Sequence, residues 1–239
     1  MAGERTLTPA ILTVPETGST NADLVALVEA GSAPDGVWLR AERQTAGRGR
    51  QGRAWTSPAG NFHGSTVVAL RLGDPPAPTL ALVAGLAVVE AIGLPPARLK
   101  WPNDVMVDGA KLAGILLERS GEHVVIGCGI NVGFAPDVPG RATSCLAAHG
   151  VVPTLDGLTG ALAASMARGV AAWRDGGLVP LIAAWQAAAH PVGTPLSVAL
   201  PDGTRCDGAF AGLDAGGTMM LRLADGTMRA IHAGDIFLR

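Results

Sequence analysis

The run from Gly47 to Arg53, GRGRQGR, interleaves three arginines with three glycines. Glycine lets the backbone approach a ligand closely, and arginine binds carboxylate or phosphate oxygens through paired N–H bonds. A loop of this composition is suited to hold two anions side by side. A solvated basic loop and an arginine-glycine patch for nucleic acid remain alternatives at this point.

The same run also has the spacing GxGxxG of dinucleotide-binding folds. That fingerprint requires a helix that starts inside the motif. Here Ser57-Pro58-Ala59-Gly60 follows shortly, and this sequence is typical of a turn or loop. We therefore do not favour a dinucleotide site.

A second group of polar residues surrounds an Asp108-Gly109 pair. Lys111 follows this pair, and Asn103-Asp104 precedes it after a proline. Asp-Gly between apolar runs is typical of a hairpin turn. Taken alone, Lys111 would be a solvated lysine at a hairpin edge, and Asn103-Asp104 would be a turn.

The histidines and cysteines argue against a protein-bound zinc or a disulfide framework. The cysteines are odd in number, far apart and without a CxxC pair, and the histidines show no paired spacing. We expect each histidine to be an ordinary surface or core residue, and we expect a reducing, cytoplasmic setting. The residues concerned are Cys128, Cys145, Cys206, His63, His123, His149, His190 and His232.

Composition predicts a globular protein without general affinity for membranes or nucleic acid. The chain has 239 residues, of which 48% are hydrophobic and 16% charged, with a formal net charge of -2. This length suits one large domain or two unequal ones. The N-terminus lacks a signal-peptide core, and the longest apolar stretch, Leu80 to Val89, is too short to span a bilayer.

The elements that must position these residues follow from periodicity and turn signals. Ser19-Thr20-Asn21 caps an apolar-periodic run, and residues 42–61 lack periodicity and predict a long functional loop. The predicted helices cover about 21–30, 80–92, 154–174 and 178–189, and the predicted strands cover 37–41, 65–72, 105–107, 112–118 and 123–130.

After Pro191 the pattern changes to short alternating strands separated by Asp-Gly and Gly-Gly turns. This pattern predicts a small closed β barrel. We therefore predict two domains, residues 1–190 and 191–239. In the first, we expect a mixed sheet with helices on one side.

Four segments together resemble the biotin protein ligase family: STN at 19–21, TAGRGRQGRAWTSPAGN at 45–61, KWPNDVMVDGAKLAGILLE at 100–118 and IGCGINV at 126–132. The resemblance runs from about Thr13 to the C-terminus. It implies an α+β catalytic domain of the class II aminoacyl-tRNA synthetase-like type and a Src-homology-3-like barrel. Some members begin with a DNA-binding domain. This sequence resembles the form without one, so we expect no nucleic-acid partner.

The resemblance also implies the reaction. ATP and biotin would form biotinyl-5'-AMP and pyrophosphate, and biotin would then pass to a lysine of a biotin carboxyl carrier protein. A homodimer is a further expectation from the family. A lipoate ligase, which shares the architecture, is the nearest rival, and a nucleic-acid-binding module is the distant one.

By resemblance, hydroxyl, amide and backbone groups should hold the ureido ring of biotin, whose one acceptor and two donors they can satisfy. Ser19 and Thr20 would also serve as a helix cap, and the two roles are compatible. The expected biotin-binding residues are Ser19, Thr20, Asn21, Gln44, Gly47, Arg48, Arg50, Trp55, Lys111, Gly114 and Gly127.

The nucleotide should lie against a second set of residues, some of which are also expected to bind biotin. Lys111 is expected at the biotin carboxylate and the α-phosphate, and magnesium is expected mainly on the ATP phosphates with Asp104 as its protein contact. The expected catalytic residues are Lys111, Arg48, Arg50 and Asp104. The expected ATP or adenylate contacts are Arg50, Arg53, Trp55, Asn103, Asp104, Lys111, Gly129 and Asn131.

Two further expectations concern the pocket wall and the loops. His63 and Gly64 stand where the family usually has bulky apolar residues, which leaves that wall undefined. The cationic segment 46–53 and the Pro- and Gly-containing segment 134–144 should be mobile without ligand. Clustered cations repel one another, and glycines are entropically costly to order.

Overall fold

A computed structural model describes residues 10–238 of the chain. Its first sheet has seven strands in the order β1-β2-β3-β7-β6-β5-β4, in which β1 runs parallel to β2 and all other neighbours are antiparallel. The strands are β1 Ile11–Thr17, β2 Trp38–Gln44, β3 Phe62–Ala69, β4 Arg98–Lys100, β5 Asp104–Val107, β6 Ala110–Ser120 and β7 His123–Ile130.

Four α-helices accompany this sheet: α1 Thr20–Glu29, α2 Leu80–Ile92, α3 Leu155–Gly176 and α4 Leu178–Ala188. The predicted bounds of α2 and β7 are confirmed, and α1, α3, α4 and the hairpin agree with their predictions within a few residues. The run LALVAGLAVVEAI is apolar nearly all round, which is typical of a buried helix. Gly93 ends α2 in the left-handed conformation.

The helices cover both faces of the sheet, so the expectation of helices on one side is wrong. Alternate residues of a strand face opposite ways. Val68 belongs to the large core under α2, α3 and α4, whereas Val67 packs with Leu24 of α1 in a separate cluster. The site-bearing α1 therefore lies on the face opposite the main helical layer.

Three strands differ from the sequence prediction, and one of them is β4, which was not predicted. The strand expected at 65–72 begins at Phe62, so His63 and Gly64 lie inside β3 rather than before it. Strand β1 was not predicted, because it is exposed, irregular in pattern and contains Pro15. Proline is tolerated there because β1 is an edge strand that needs only one set of ladder bonds.

The C-terminal segment forms a second, five-stranded antiparallel sheet in the order β11-β10-β9-β8-β12. Helix α4 ends at Ala188 and this sheet begins at Pro195. Within residues 10–238, no helix is long and apolar enough to cross a membrane. The strands are β8 Pro195–Ala199, β9 Arg205–Leu213, β10 Met219–Arg222, β11 Met228–Ile231 and β12 Asp235–Leu238.

Candidate active site

A cavity of about 540 Å³ lies between the first sheet, the arginine loop and strand β12 of the second sheet. This volume is in the range of small-molecule sites. The cavity brings together all of the expected site residues except Gly47. The lining includes Ser19, Thr20, Asn21, Gln44, Arg48, Arg50, Arg53, Trp55, Asn103, Asp104, Lys111, Gly114, Gly127, Gly129 and Asn131.

Glycines form the floor of the cavity on neighbouring strands β6 and β7. Gly114 pairs directly with Gly129, and Gly127 pairs with Leu116. A Cβ on Gly129 would lie 2.5 Å from the indole of Trp55, and one on Gly114 would lie 3.0 Å from the same ring. The missing side chains therefore let the flat indole of Trp55 lie against the sheet.

One end of the cavity is lined by hydroxyl and amide groups. The Ser19 hydroxyl caps α1 by accepting from the amide of Ala22. Gln44 Oε1 accepts from the backbone N–H of Thr20 at 2.8 Å and from its hydroxyl at 3.1 Å. Thr20 Oγ1 lies 2.7 Å from the hydroxyl of Ser65. The expected helix cap is thus confirmed, and the same turn places Ser19 and Thr20 in the cavity lining.

Asn21 is fixed by two residues that the sequence did not single out. Its Nδ2 donates to Glu118 at 2.7 Å, and its Oδ1 accepts from Ser65 at 2.6 Å. A Cβ on Gly127 would overlap Asn21, which shows how tightly this side chain packs on the floor. Ser65 was missed because a serine within a strand carries no motif signal.

Two lysines converge on one carboxylate at the other end. Lys111 Nζ lies 2.6 Å from Asp104 Oδ1, and Lys100 Nζ lies 3.1 Å from Asp104 Oδ2. Asp104 is buried. Burial raises the pKa of this carboxyl, but the charges of Lys111 and Lys100 outweigh burial and hold the pKa below its usual value. Asp104 is therefore a carboxylate that positions two ammonium groups.

The donor set around Asp104 does not fit a protein-held magnesium ion. Both of its oxygens already accept from lysine ammonium groups. Within the described part of the chain, no three His, Cys, Asp or Glu side chains are grouped to bind a metal. The geometry thus gives no support to Asp104 as a magnesium ligand.

The backbone of Lys111 is held by the segment after β7. Its N–H donates to Ala142 O at 2.8 Å, and its carbonyl accepts from the Ser144 N–H at 2.9 Å. Asn131 reinforces this contact, because its Nδ2 donates to Ser144 O at 2.9 Å. Asn131 Oδ1 is buried without a hydrogen-bond partner, so it can accept from a bound ligand.

Trp55 lies across the glycine floor beside Lys111. The Lys111 ammonium is 5.3 Å from the centre of the indole ring, within cation–π range. The indole Nε1 is buried and has no partner, so it offers a donor to a ligand. Gly47 lies behind Trp55: its carbonyl accepts from the Trp55 N–H at 2.9 Å, and any Cβ on it would overlap Trp55 O. Gly47 therefore shapes the loop.

The arginines of the loop are held in different ways. Arg48 lines the cavity and is exposed, whereas Arg50 donates to Asn103 Oδ1 at 3.2 Å. Burial lowers the pKa of Arg50. Arg53 forms an ion pair with Asp235 of β12. Mobility of the loop stays a prediction. The repulsion among its arginines, on which that prediction rests, is reduced because Asp235 pairs with Arg53.

His63 forms part of the cavity wall that the sequence left undefined. It is 1% exposed, and its Nε2 lies 3.0 Å from Pro58 O. A carbonyl oxygen can only accept, so Nε2 carries the hydrogen and Nδ1 is a bare acceptor. Burial lowers the pKa of His63, although the bond to Pro58 acts in the opposite direction.

We expect His63→Leu to reduce the acid sensitivity of folding. The unfolded chain protonates His63 near its ordinary pKa of about 6.5, whereas the folded protein resists protonation. The free energy of unfolding should therefore fall as pH drops from about 7.5 to about 5.5, and fall less in the variant. Urea titrations at both pH values measure this difference.

The exposed His232→Leu serves as the control for loss of one histidine from the unfolded chain. An equal fall in stability in wild type and His63→Leu would contradict the assignment of His63 as a buried neutral side chain.

The sequence of this chain is similar to those of known proteins. Residues 19–131 match the model of the biotin/lipoate A/B protein ligase family. A biotin acetyl-CoA-carboxylase ligase of Paracoccus denitrificans is 39% identical over 92% of this chain and 97% of its own length. The Mycobacterium tuberculosis protein of the same name is also 39% identical, over 93% of this chain and 86% of its own.

Solved structures agree with these relatives. The Aquifex aeolicus biotin protein ligase in complex with biotin and ATP superposes with a TM-score of 0.83 at 25% identity, covering 96% of this chain and 98% of that one. The Leishmania major biotin protein ligase in complex with biotinyl-5-AMP gives 0.67 at 25% identity, over 94% and 99%. The predicted fold class is thus confirmed, and the chain belongs to the biotin protein ligase family.

Proposed function

We propose that this protein activates biotin with ATP to form biotinyl-5'-AMP and pyrophosphate, then transfers biotin to a lysine of a biotin carboxyl carrier protein. The lining of the cavity supports this proposal. A single glycine-floored cavity has hydroxyl and amide groups at one end and a cluster of lysine and arginine cations at the other. A neutral urea and an anionic carboxylate, the two ends of biotin, match these two ends.

In the first step the biotin carboxylate attacks the α-phosphorus of ATP, and the bond to pyrophosphate breaks. Two anions must approach each other, so positioned cations lower the barrier. Lys111 is suited to this task because Asp104 and the backbone of segment 142–144 fix both its ammonium group and its main chain. Arg48 and Arg50 line the same cavity and would neutralise phosphate oxygens.

The nucleotide base is proposed to lie beside Trp55 and Asn131. The unpartnered Nε1 of Trp55 is a donor and the unpartnered Oδ1 of Asn131 is an acceptor. Adenine offers both an amino donor and ring-nitrogen acceptors, so it could satisfy these buried groups, whose desolvation is otherwise costly. Gly129 lets the indole of Trp55 lie close to the sheet, because a Cβ at this position would be 2.5 Å from the ring.

In the second step the neutral amine of a carrier lysine attacks the carbonyl carbon of the mixed anhydride, and AMP leaves. Lys111 would remain to polarise that carbonyl. Asp104 is a poor candidate for the base, because its lysine partners keep its pKa below the usual value. We therefore propose that the proton of the amine passes to water, and that Asp104 only positions the lysines.

The remaining expectations extend this proposal. Magnesium would enter on the phosphates of ATP, and no step above depends on a protein ligand to it. The carrier would belong to acetyl-CoA carboxylase, the enzyme named in two relatives. A cytoplasmic location, a homodimer and the lack of a nucleic-acid partner stay predictions.

Pyrophosphate release distinguishes biotin from lipoate as the substrate. We expect release from ATP and magnesium with biotin and none with lipoate, because the polar end of the cavity suits a urea, which lipoate lacks. A coupled phosphate assay with each acid, and with neither, measures this. Release with lipoate but not with biotin would overturn the proposed substrate.

A further inference from the structure

Asp235, the first residue of β12, reaches from the second sheet into the cavity. Its Oδ1 accepts from Arg53 Nη1 at 3.0 Å, and its Oδ2 accepts from Arg53 Nη2 at 2.5 Å. This is the bidentate arrangement by which arginine binds carboxylate or phosphate. Neither motif reading nor the family resemblance singled out Asp235.

Arg141 approaches the same carboxylate from another segment. Its Nη2 lies 3.4 Å from Asp235 Oδ2. Arg50 donates to Asn103, and its charge acts on Asp235 through space. Two guanidinium groups therefore contact this carboxylate, and a third acts on it at longer range. Asp104 is the other nearby anion, and it is already shared by two lysines. A single carboxylate therefore leaves excess positive charge at this point.

The segment that carries Arg141 is anchored at both ends. At its start, Asn61 Oδ1 accepts from the N–H groups of Val132, Gly133 and Phe134 at 2.9 to 3.0 Å. At its end, residues 142–144 pair with Lys111. At the tip between these anchors, residues 136 and 138–141 line the cavity. Arg141 is thus delivered to the cavity by a segment with fixed ends.

We infer that Arg53 and Arg141, assisted by Arg50, form a site for the pyrophosphate part of ATP, and that Asp235 occupies this site as an internal competitor when no nucleotide is bound. The inference rests on the proposed function for the identity of the anion. Pyrophosphate carries several negative charges, so it can balance the three arginines where one carboxylate cannot. After adenylation, the return of Asp235 would favour release of pyrophosphate.

If Asp235 had only a structural role, its removal would change the affinity for pyrophosphate in the opposite direction. If Asp235 held Arg53 and Arg141 in the conformation that binds phosphate, its removal would weaken pyrophosphate binding. If Asp235 competes with the anion, its removal strengthens binding. Asp235→Asn is suited to the test, because it keeps the shape of the side chain and removes its charge.

The experiment is calorimetric titration of the full chain with inorganic pyrophosphate at low salt, without biotin. We expect Asp235→Asn to bind about tenfold more tightly than wild type and Arg141→Gln about tenfold more weakly. Asp225→Asn is the matched control. It makes the same charge change in an exposed turn of the same sheet, outside the cavity lining, and should match wild type.

Unchanged or weaker binding by Asp235→Asn would overturn the competitor role, and unchanged binding by Arg141→Gln would remove Arg141 from the site. Thermal unfolding of each variant identifies any that fail to fold, and the double variant Asp235→Asn/Arg141→Gln should return towards wild-type affinity. The titration contains no biotin. A wild type that binds pyrophosphate as expected but shows no biotin-dependent release would refute the proposed function and leave this site standing.

Discussion

Replacing Lys111 with alanine is expected to lower the rate of biotinyl-AMP formation by about a hundredfold, the typical cost of one lost charge-stabilising contact, roughly 3 kcal/mol. Lys111 joins the cation cluster to the glycine floor: its ammonium contacts Asp104 and lies over the indole of Trp55. The alanine variant also leaves Asp104 with one lysine partner, Lys100. Single-turnover formation of the adenylate measures the chemical step directly.

Asp104→Asn is the companion variant that keeps the charge of Lys111 but removes its ionic partner. We expect a smaller loss than in Lys111→Ala, because segment 142–144 still holds the lysine backbone. Supplying purified biotinyl-AMP tests the transfer step alone. Carrier labelling at the wild-type rate in Lys111→Ala would show that Lys111 acts only in adenylation. An undiminished rate of adenylation would contradict its central role.

Replacing Gly129 with valine should lower the affinity for biotinyl-AMP by roughly ten- to a hundredfold, the range that corresponds to about 1–3 kcal/mol of steric overlap. The first added carbon would already lie 2.5 Å from the Trp55 ring. Because Trp55 lies across both Gly129 and its strand partner Gly114, a valine would displace the indole from the floor. Equilibrium titration with the adenylate measures the loss.

The neighbouring Cys128→Val is the matched control for this variant. Cys128 belongs to the large core on the other face of β7, so the same new side chain there does not stand on the floor. We expect near-normal ligand affinity in Cys128→Val, with any cost confined to stability. Equal affinities for the adenylate in the two variants would contradict the assignment of Gly129 to the floor.

Contiguous features of the site were predictable from sequence, because their signals are local. The hairpin around Asp108-Gly109 and the buried helix α2 depend on turn chemistry and on apolar content over a short window. The composition of the arginine and glycine run favoured an anion-binding loop, and the structure places Arg48, Arg50 and Arg53 in the cavity lining. These local patterns also carried the family resemblance, which located Lys111, Asp104 and Asn131.

Features that depend on distant pairing were not predictable. Arg53 and Asp235 are 182 positions apart, and Arg141 and Asp235 are 94 apart. No periodicity links such residues, and an aspartate at the start of a strand resembles any solvated carboxylate. Ser65 was hidden in the same way, because only the register of β3 against β7 brings it to Asn21. The face covered by α1 likewise depends on packing.

Transfer to a carrier tests the central claim most directly, because it requires both ends of the cavity to act on one substrate. The protein is incubated with biotin, ATP, magnesium and a purified biotin carboxyl carrier domain, and the carrier is measured by intact mass spectrometry. We predict the mass increase of one biotinyl group, located on a lysine and lost when ATP is omitted. An unmodified carrier in the complete reaction, with the same sample active as a lipoyl transferase, would contradict the account.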